Sequence, residues 1–281
     1  MKTLILSDLH LGTKASSAGN LLEGIRRLAR EHDTVILNGD TLDRFETPGC
    51  ESNSERHLCD IMDACSSRNG LPEILTGNHD PAISDRQWHY IAQSATLIFH
   101  GDCIADCTHP SKQFEQILAA RLGEYWAELG GRPTRFVELV DKHRRVQADT
   151  ARANPPVREP KSKFHYLLHA FFPPQKSIHV LSYWRNAPKL AAALGATFEK
   201  PVRNVVLGHT HRPGQWCING CNVFNTGSFM PMSKPYAFVS DGHKVSHLPL
   251  LPLLRSHHIV SLPVVAANRN GYPARPGTSV K

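Results

Sequence analysis

The chain has 281 residues, 41% hydrophobic and 20% charged, with a formal net charge of +7. That length suits one large core with an insertion or two small domains, and with no apolar run of 18 residues a transmembrane helix is not expected. The charge is lopsided: residues 111–200 hold 15 Lys/Arg against 8 Asp/Glu, while the rest hold 17 of each sign, so a neutral body carries one basic segment suited to an anionic partner.

Met1 to Ser7 is too short for a signal peptide, and the seven cysteines lack CxxC spacing. Both point to a reducing, cytoplasmic setting.

In chain order, Lys2 to Ser7 reads as a buried strand that ends at Asp8-Leu9-His10. Residues two apart on an extended segment point the same way, so this carboxylate and imidazole can share one cation. Apolar residues at 21, 22, 25, 28 and 29 mark a helix over Leu21–Arg30. Thr34 to Leu37 is a second strand, ending in Asn38-Gly39-Asp40. Strand, helix and strand within about 35 residues make a βαβ unit and favour a parallel sheet. Glu55–Arg68 reads as a helix. Leu71–Thr76 is a third strand, delivering Gly77-Asn78-His79-Asp80. Arg86–Ser94 reads as a short helix, and Ala95–Phe99 as a strand ending in His100-Gly101-Asp102.

Residues 111–200 break this rhythm. Phe114, Ile117, Leu118, Leu122, Tyr125, Trp126 and Leu129 recur at helical spacing. Phe136, Leu139, Val140 and His143 begin a second, very basic helix, residues 153–163 form a Pro-rich exposed loop, and Ser177–Leu194 is helical again. This segment reads as a helical insertion, a cap. Its aromatic residues Tyr166, Phe171, Phe172, Tyr183 and Trp184 suit a core, or base stacking on nucleic acid.

Val202–Leu207 restores the strand pattern and ends in Gly208-His209-Thr210-His211. Trp216–Ile218 and Cys221–Phe224 flank Asn219-Gly220, a two-residue hairpin turn. Asn225-Thr226-Gly227-Ser228 is another polar strand end, and Tyr236–Val239 with Lys244–Leu248 suggests a last hairpin. Residues 251–281 are expected to be a loosely ordered tail.

Five strands therefore end in ligand-type residues, and side chains at one sheet edge converge in space. In order, D-x-H, G-D, G-N-H-D, H and G-H-x-H resemble the signature of the calcineurin-like metallophosphoesterase superfamily across residues 8 to 211. The resemblance implies an α/β fold, a four-layer αββα sandwich formed by 1–110 and 201–250, with 111–200 as its cap. It implies that Asp8, His10, Asp40 and His211 hold one divalent metal and that Asp40, Asn78, His100 and His209 hold another, with Asp40 bridging. His79 would act as acid, its imidazole held by Asp80. A water between the two cations would be the nucleophile. The mixed oxygen and nitrogen donors suit Mn first, then Fe, Zn or Co.

Within the superfamily, His100-Gly101-Asp102, the spacing Gly39-Asp40-Thr41-Leu42-Asp43 and the helical insertion resemble UDP-2,3-diacylglucosamine pyrophosphohydrolases of lipid A synthesis. That implies a phosphate-containing substrate met by Asp43 and Asp102, and a cytoplasmic protein peripheral at the inner membrane through its basic segment. The competing readings are a general phosphodiesterase, protein phosphatase or nuclease of the same superfamily, and a catalytically silent binding scaffold.

Overall fold

A computed structural model describes residues 1–43, 51–104, 112–154 and 174–255. Two five-stranded sheets face each other. The first has the order β10-β9-β1-β2-β3, built from β1 (Thr3–Leu6), β2 (Thr34–Asn38), β3 (Glu73–Leu75), β9 (Tyr236–Ser240) and β10 (Val245–Pro249). The second has the order β4-β5-β6-β8-β7, from β4 (Trp88–Ile91), β5 (Thr96–Phe99), β6 (Asn204–Leu207), β7 (Gly214–Ile218) and β8 (Cys221–Asn225). β1, β2 and β3 run parallel, as do β5, β6 and β8. Their carboxyl ends are where the ligand-type residues emerge.

The strands read as continuous apolar runs because both of their faces are covered. Ile5, Ile36, Ile98, Val206, Phe224 and Phe238 pack together between the sheets. Their neighbours Leu4, Leu6, Val35, Leu37 and Val239 turn outward onto helices α1 (Leu22–Arg30) and α2 (Glu51–Ala64). Leu97, Phe99, Val205, Leu207 and Val223 do the same on the second sheet. The two-residue period of a strand sorts each side chain to one layer or the other.

The outer layer of the second sheet corrects the expected cap. In the segment 111–200, α3 (Lys112–Glu128) is followed by α4 (Phe136–Ala153) and α5 (Pro174–Gly195). Phe136 and Val140 of α4, and Ala191 and Ala192 of α5, pack directly on the sheet. They cover a hydrophobic face that would otherwise meet water, so these helices are a layer of the sandwich. α3 lies outside α4, joined through Phe114, Leu118, Leu122 and Trp126. The Pro-rich loop over 155–163, and Tyr166, Phe171 and Phe172, lie outside the described residues.

Two smaller expectations also change. Arg86–Ser94 is not a helix: Trp88–Ile91 forms β4, antiparallel to β5. Trp88 and Tyr90 pack edge-on or tilted against Phe198 at 5.3 and 5.2 Å, and Trp, Tyr and Ile are residues that favour a strand. The tail begins ordered, since Leu250–Arg255 forms α6, which buries Leu250 and Leu254 beside α1; residues 256–281 lie outside the described residues. The expected turn at Asn219-Gly220 has φ of 50° and 81°, as a two-residue type I′ hairpin requires.

A buried histidine far from the strand ends sets a pH dependence. His32 has its Nδ1 2.8 Å from the Leu28 carbonyl. Burial, opposed by that carbonyl, brings its imidazole down to about 4. The folded chain thus keeps His32 neutral where the unfolded chain takes up a proton, so stability rises with pH between about 4 and the ordinary 6.5. The contribution is complete above that window and lost as pH falls through it. In urea unfolding at pH about 7 and about 5, His32→Leu is expected to lose less stability on acidification than the wild type; equal losses would refute the assignment.

Candidate metal centre

The six functional loops leave their strands at one edge of the sandwich. Asp8 and His10 follow β1, Asp40 follows β2, and Asn78 and His79 follow β3; His100 follows β5, and His209 and His211 follow β6. Three loops come from the first sheet and two from the second, and the turn after β8 closes behind them. Asp8, His10, Asp40, His209 and His211 all adopt positive φ, between 48° and 61°. This left-handed region costs a non-glycine residue about 1–3 kcal/mol. The bend turns each side chain back from its strand towards a common centre.

Asp8, His10, Asp40 and His211 form one cluster, and Asp40, His100 and His209 another. In the first, Asp8 Oδ1 lies 3.2 Å from His211 Nε2, His10 Nε2 3.0 Å from His211 Nε2, and Asp40 Oδ2 3.7 Å from His10 Nε2. In the second, His100 Nε2 lies 3.3 Å from Asp40 Oδ2 and 3.1 Å from Asn78 Oδ1, and His209 Nδ1 2.8 Å from Asn78 Oδ1. Donors bonded to one cation at about 2.1 Å sit roughly 3.0–3.4 Å apart, from octahedral to tetrahedral. The donor set and its spacing fit divalent cations in both clusters, and all seven expected ligands are brought together. His100 is also preset: its Nδ1 lies 3.0 Å from the Asn38 carbonyl, and a proton donated there leaves Nε2 to face inward.

The electrostatics agree with a cation site. Burial pushes the Asp8 carboxyl up, but the hydrogen bond to His211 and the charges of His100 and His211 hold it below its ordinary value. Asp40 is likewise pushed up by burial and held well below by His100 and His79. Burial brings His10 down to about 3 and His209 to about 4, which keeps these imidazoles neutral, each with one nitrogen able to bind a cation.

Two carboxylates are placed differently from expectation. Asp80 was to hold the His79 imidazole. Its oxygens instead accept four backbone N–H groups: Asp40 (3.1 Å) and Gly77 (2.9 Å) at Oδ1, Thr41 (2.8 Å) and Leu42 (3.0 Å) at Oδ2. It fixes the Asp40 loop. Asp43, expected to meet substrate, is buried with its Oδ1 3.2 Å from His79 Nδ1. Asp43 therefore orients His79, whose Nε2 lies 3.9 Å from Asp40 Oδ2. Asp102 faces α4, its Oδ2 4.0 Å from His143 Nδ1.

The sequence reading missed the supports behind the ligands. Ser7 Oγ donates to Asp8 Oδ2 and lies 2.5 Å from Thr226 Oγ1, and Ser228 Oγ donates to the Asp8 carbonyl (3.2 Å). The His209 N–H donates to Asp8 Oδ1 (3.0 Å), which ties the two sheets together. The legible signal was the glycine before three of the ligands, Asp40, Asn78 and His209. A Cβ at Gly77 would overlap Asp40 Oδ1 and its backbone nitrogen, and one at Gly208 would overlap Asp8 Oδ2. Gly77→Ala is therefore expected to lower stability by about 1–3 kcal/mol and to deplete bound metal, measured by denaturant unfolding and elemental analysis. Retention of full metal content would show that the loop yields without moving Asp40.

The sequence model of a family described as Calcineurin-like phosphoesterase matches residues 1–213. No curated protein matches the chain. Among solved structures, Yfce, a phosphoesterase from E. coli, is 12% identical, with 90% of this chain and 95% of that chain covered and a TM-score of 0.37. A predicted phosphoesterase from Streptococcus pneumoniae TIGR4 is 15% identical, with 89% of each chain covered and a TM-score of 0.33. Vps29 from Entamoeba histolytica, complexed with zinc, is 12% identical, with 89% and 99% covered and a TM-score of 0.35.

Proposed function

Since the chain belongs to the calcineurin-like phosphoesterase family, we propose that it is a hydrolase of phosphoester or diphosphate bonds that works with two divalent cations, one in each cluster. The observation that carries this reading is Asp40, whose carboxylate belongs to both clusters. When bound, such a pair of cations supplies polarisation of a phosphoryl oxygen and activation of a water.

The residues supply the rest. Asp8, His10 and His211 would hold one cation and Asn78, His100 and His209 the other, with Asp40 between them. The His211 side chain is 32% exposed and that of His79 11%, whereas Asp8, His10, Asp40 and His100 are buried. Substrate then approaches over His211 and His79. The His79 imidazole, oriented by Asp43, lies where it can give a proton to the leaving oxygen. Mn is the cation we assign first, with Fe, Zn and Co next.

For substrate we propose UDP-2,3-diacylglucosamine, met at the cytoplasmic face of the inner membrane. The support is the run His100-Gly101-Asp102, the spacing from Gly39 to Asp43 and the basic residues of α4. No helix of the described residues is long and apolar enough to cross a membrane, so contact there would be peripheral. The test is a panel with Mn: this substrate, nucleic acids, phosphomonoesters and a chromogenic phosphodiester. Release of UMP far faster than any other product supports the assignment. Hydrolysis of the chromogenic ester alone, or of nucleic acid, replaces it with a general phosphodiesterase or a nuclease. No hydrolysis with metal bound leaves a binding scaffold.

A further inference from the structure

Helix α4 reaches the metal centre from behind. Just ahead of it, Arg132 Nη2 donates to the Cys103 carbonyl (2.7 Å), in the turn that follows His100. Arg144 Nη2 donates to the Ser84 carbonyl (2.5 Å), in the loop that follows Asp80. The helix and the turn that leads into it thus grip the loops that carry His100 and Asn78. Between the two grips, His143 is buried with its Nδ1 4.0 Å from Asp102 Oδ2. That gap is too long for a direct hydrogen bond and suits a bridging molecule.

A cavity of about 10 Å³ lies there, lined by Thr76, His100, Asp102, His143 and Arg144. It has room for one water, which needs two to four polar partners. Arg144 Nε is buried and has no hydrogen-bond partner among the described residues.

We propose that a single buried water joins Arg144 Nε, His143 and Asp102 in this cavity, and that His143 is thereby a positioning residue for the second cluster of Asp40, Asn78, His100 and His209. Asp102 follows His100 across Gly101, whose φ is 107°. Glycine leaves that link permissive, so holding Asp102 steadies the backbone that carries His100. The helix behind it is firm, because Phe136 packs on Phe99 with ring centroids 4.9 Å apart.

This inference rests on the two-cation reading, and the test separates the two. Mn²⁺ binding to the full chain is followed by titration and electron paramagnetic resonance, which distinguishes coupled from isolated ions. The wild type is expected to bind two coupled ions. In His143→Ala one site keeps its affinity and the other weakens by about tenfold to a hundredfold, with loss of the coupled signal. His143→Gln, which can still bond to the water, restores most of it. Asp102→Asn, on the opposite wall, shifts the same site if the alanine variant fails to fold. Leu139→Ala removes core volume from the same helix and lowers stability while leaving both affinities unchanged. A wild type that binds fewer than two ions overturns the two-cation reading, and this one with it. Two ions bound with wild-type affinities by His143→Ala or Asp102→Asn, or equal weakening by Leu139→Ala, overturns this inference alone.

Discussion

Asp40→Asn is expected to leave a folded protein that binds at most one cation and hydrolyses a chromogenic phosphodiester at least about a thousandfold more slowly, roughly 4 kcal/mol of barrier. Asp40 Oδ2 faces His10, His79 and His100, so among the described residues it is the carboxylate placed to serve both clusters. Oδ1 accepts the His79 N–H (2.8 Å). An amide of the same shape can keep the second role but not the first, because it lacks the charge that two adjacent cations need between them. Elemental analysis, circular dichroism and the phosphodiester assay check the result. Two bound ions and near wild-type turnover would remove Asp40 from the centre of the proposed mechanism.

His79→Asn should behave differently. Metal content is expected to stay at the wild-type level, since the donors of both clusters are present, while kcat falls by about 10²–10⁴. KM should change little if His79 acts on the leaving oxygen more than on binding. Asp43→Asn removes the group that orients the imidazole and should lower kcat by less than His79→Asn does. Loss of metal in His79→Asn would place His79 among the ligands. An unchanged kcat for an ester with a good leaving group, with a reduced one for a poor leaving group, would strengthen its role as acid.

The ligands were legible because the strands that carry them are covered on both faces. Val35 to Leu37, for example, is an unbroken apolar run, and the change to Asn38-Gly39-Asp40 marks the sheet edge without ambiguity. Periodicity could say that one face of α4 is buried but not what covers it, so a layer of the sandwich was read as a cap. The resemblance gave Asp80 to His79 and Asp43 to substrate, but only the fold of the Asp40 loop decides which carboxylate takes the imidazole and which takes the backbone. β4 was obscure for a related reason. Phe136 and Phe198, distant in sequence, gather around Trp88 and hold it on the sheet.

The ligand loops are divided between two sheets, and that division sets a timetable. Asp8, Asp40 and Asn78 lie in the first third of the chain, whereas His209 and His211 leave the ribosome after most of the second sheet. A growing chain can fold its early βαβ portion, yet neither cluster is complete until β6 has docked beside β5. Ion capture would therefore be a late event that follows the docking of β6. Because unfolded chains lack the preformed pair of clusters, free metal pulls the equilibrium toward the finished sandwich, by about 2.7 kcal/mol at a hundredfold excess over the dissociation constant. The ions would join a site whose ligands His10 and His211 were synthesised 201 residues apart.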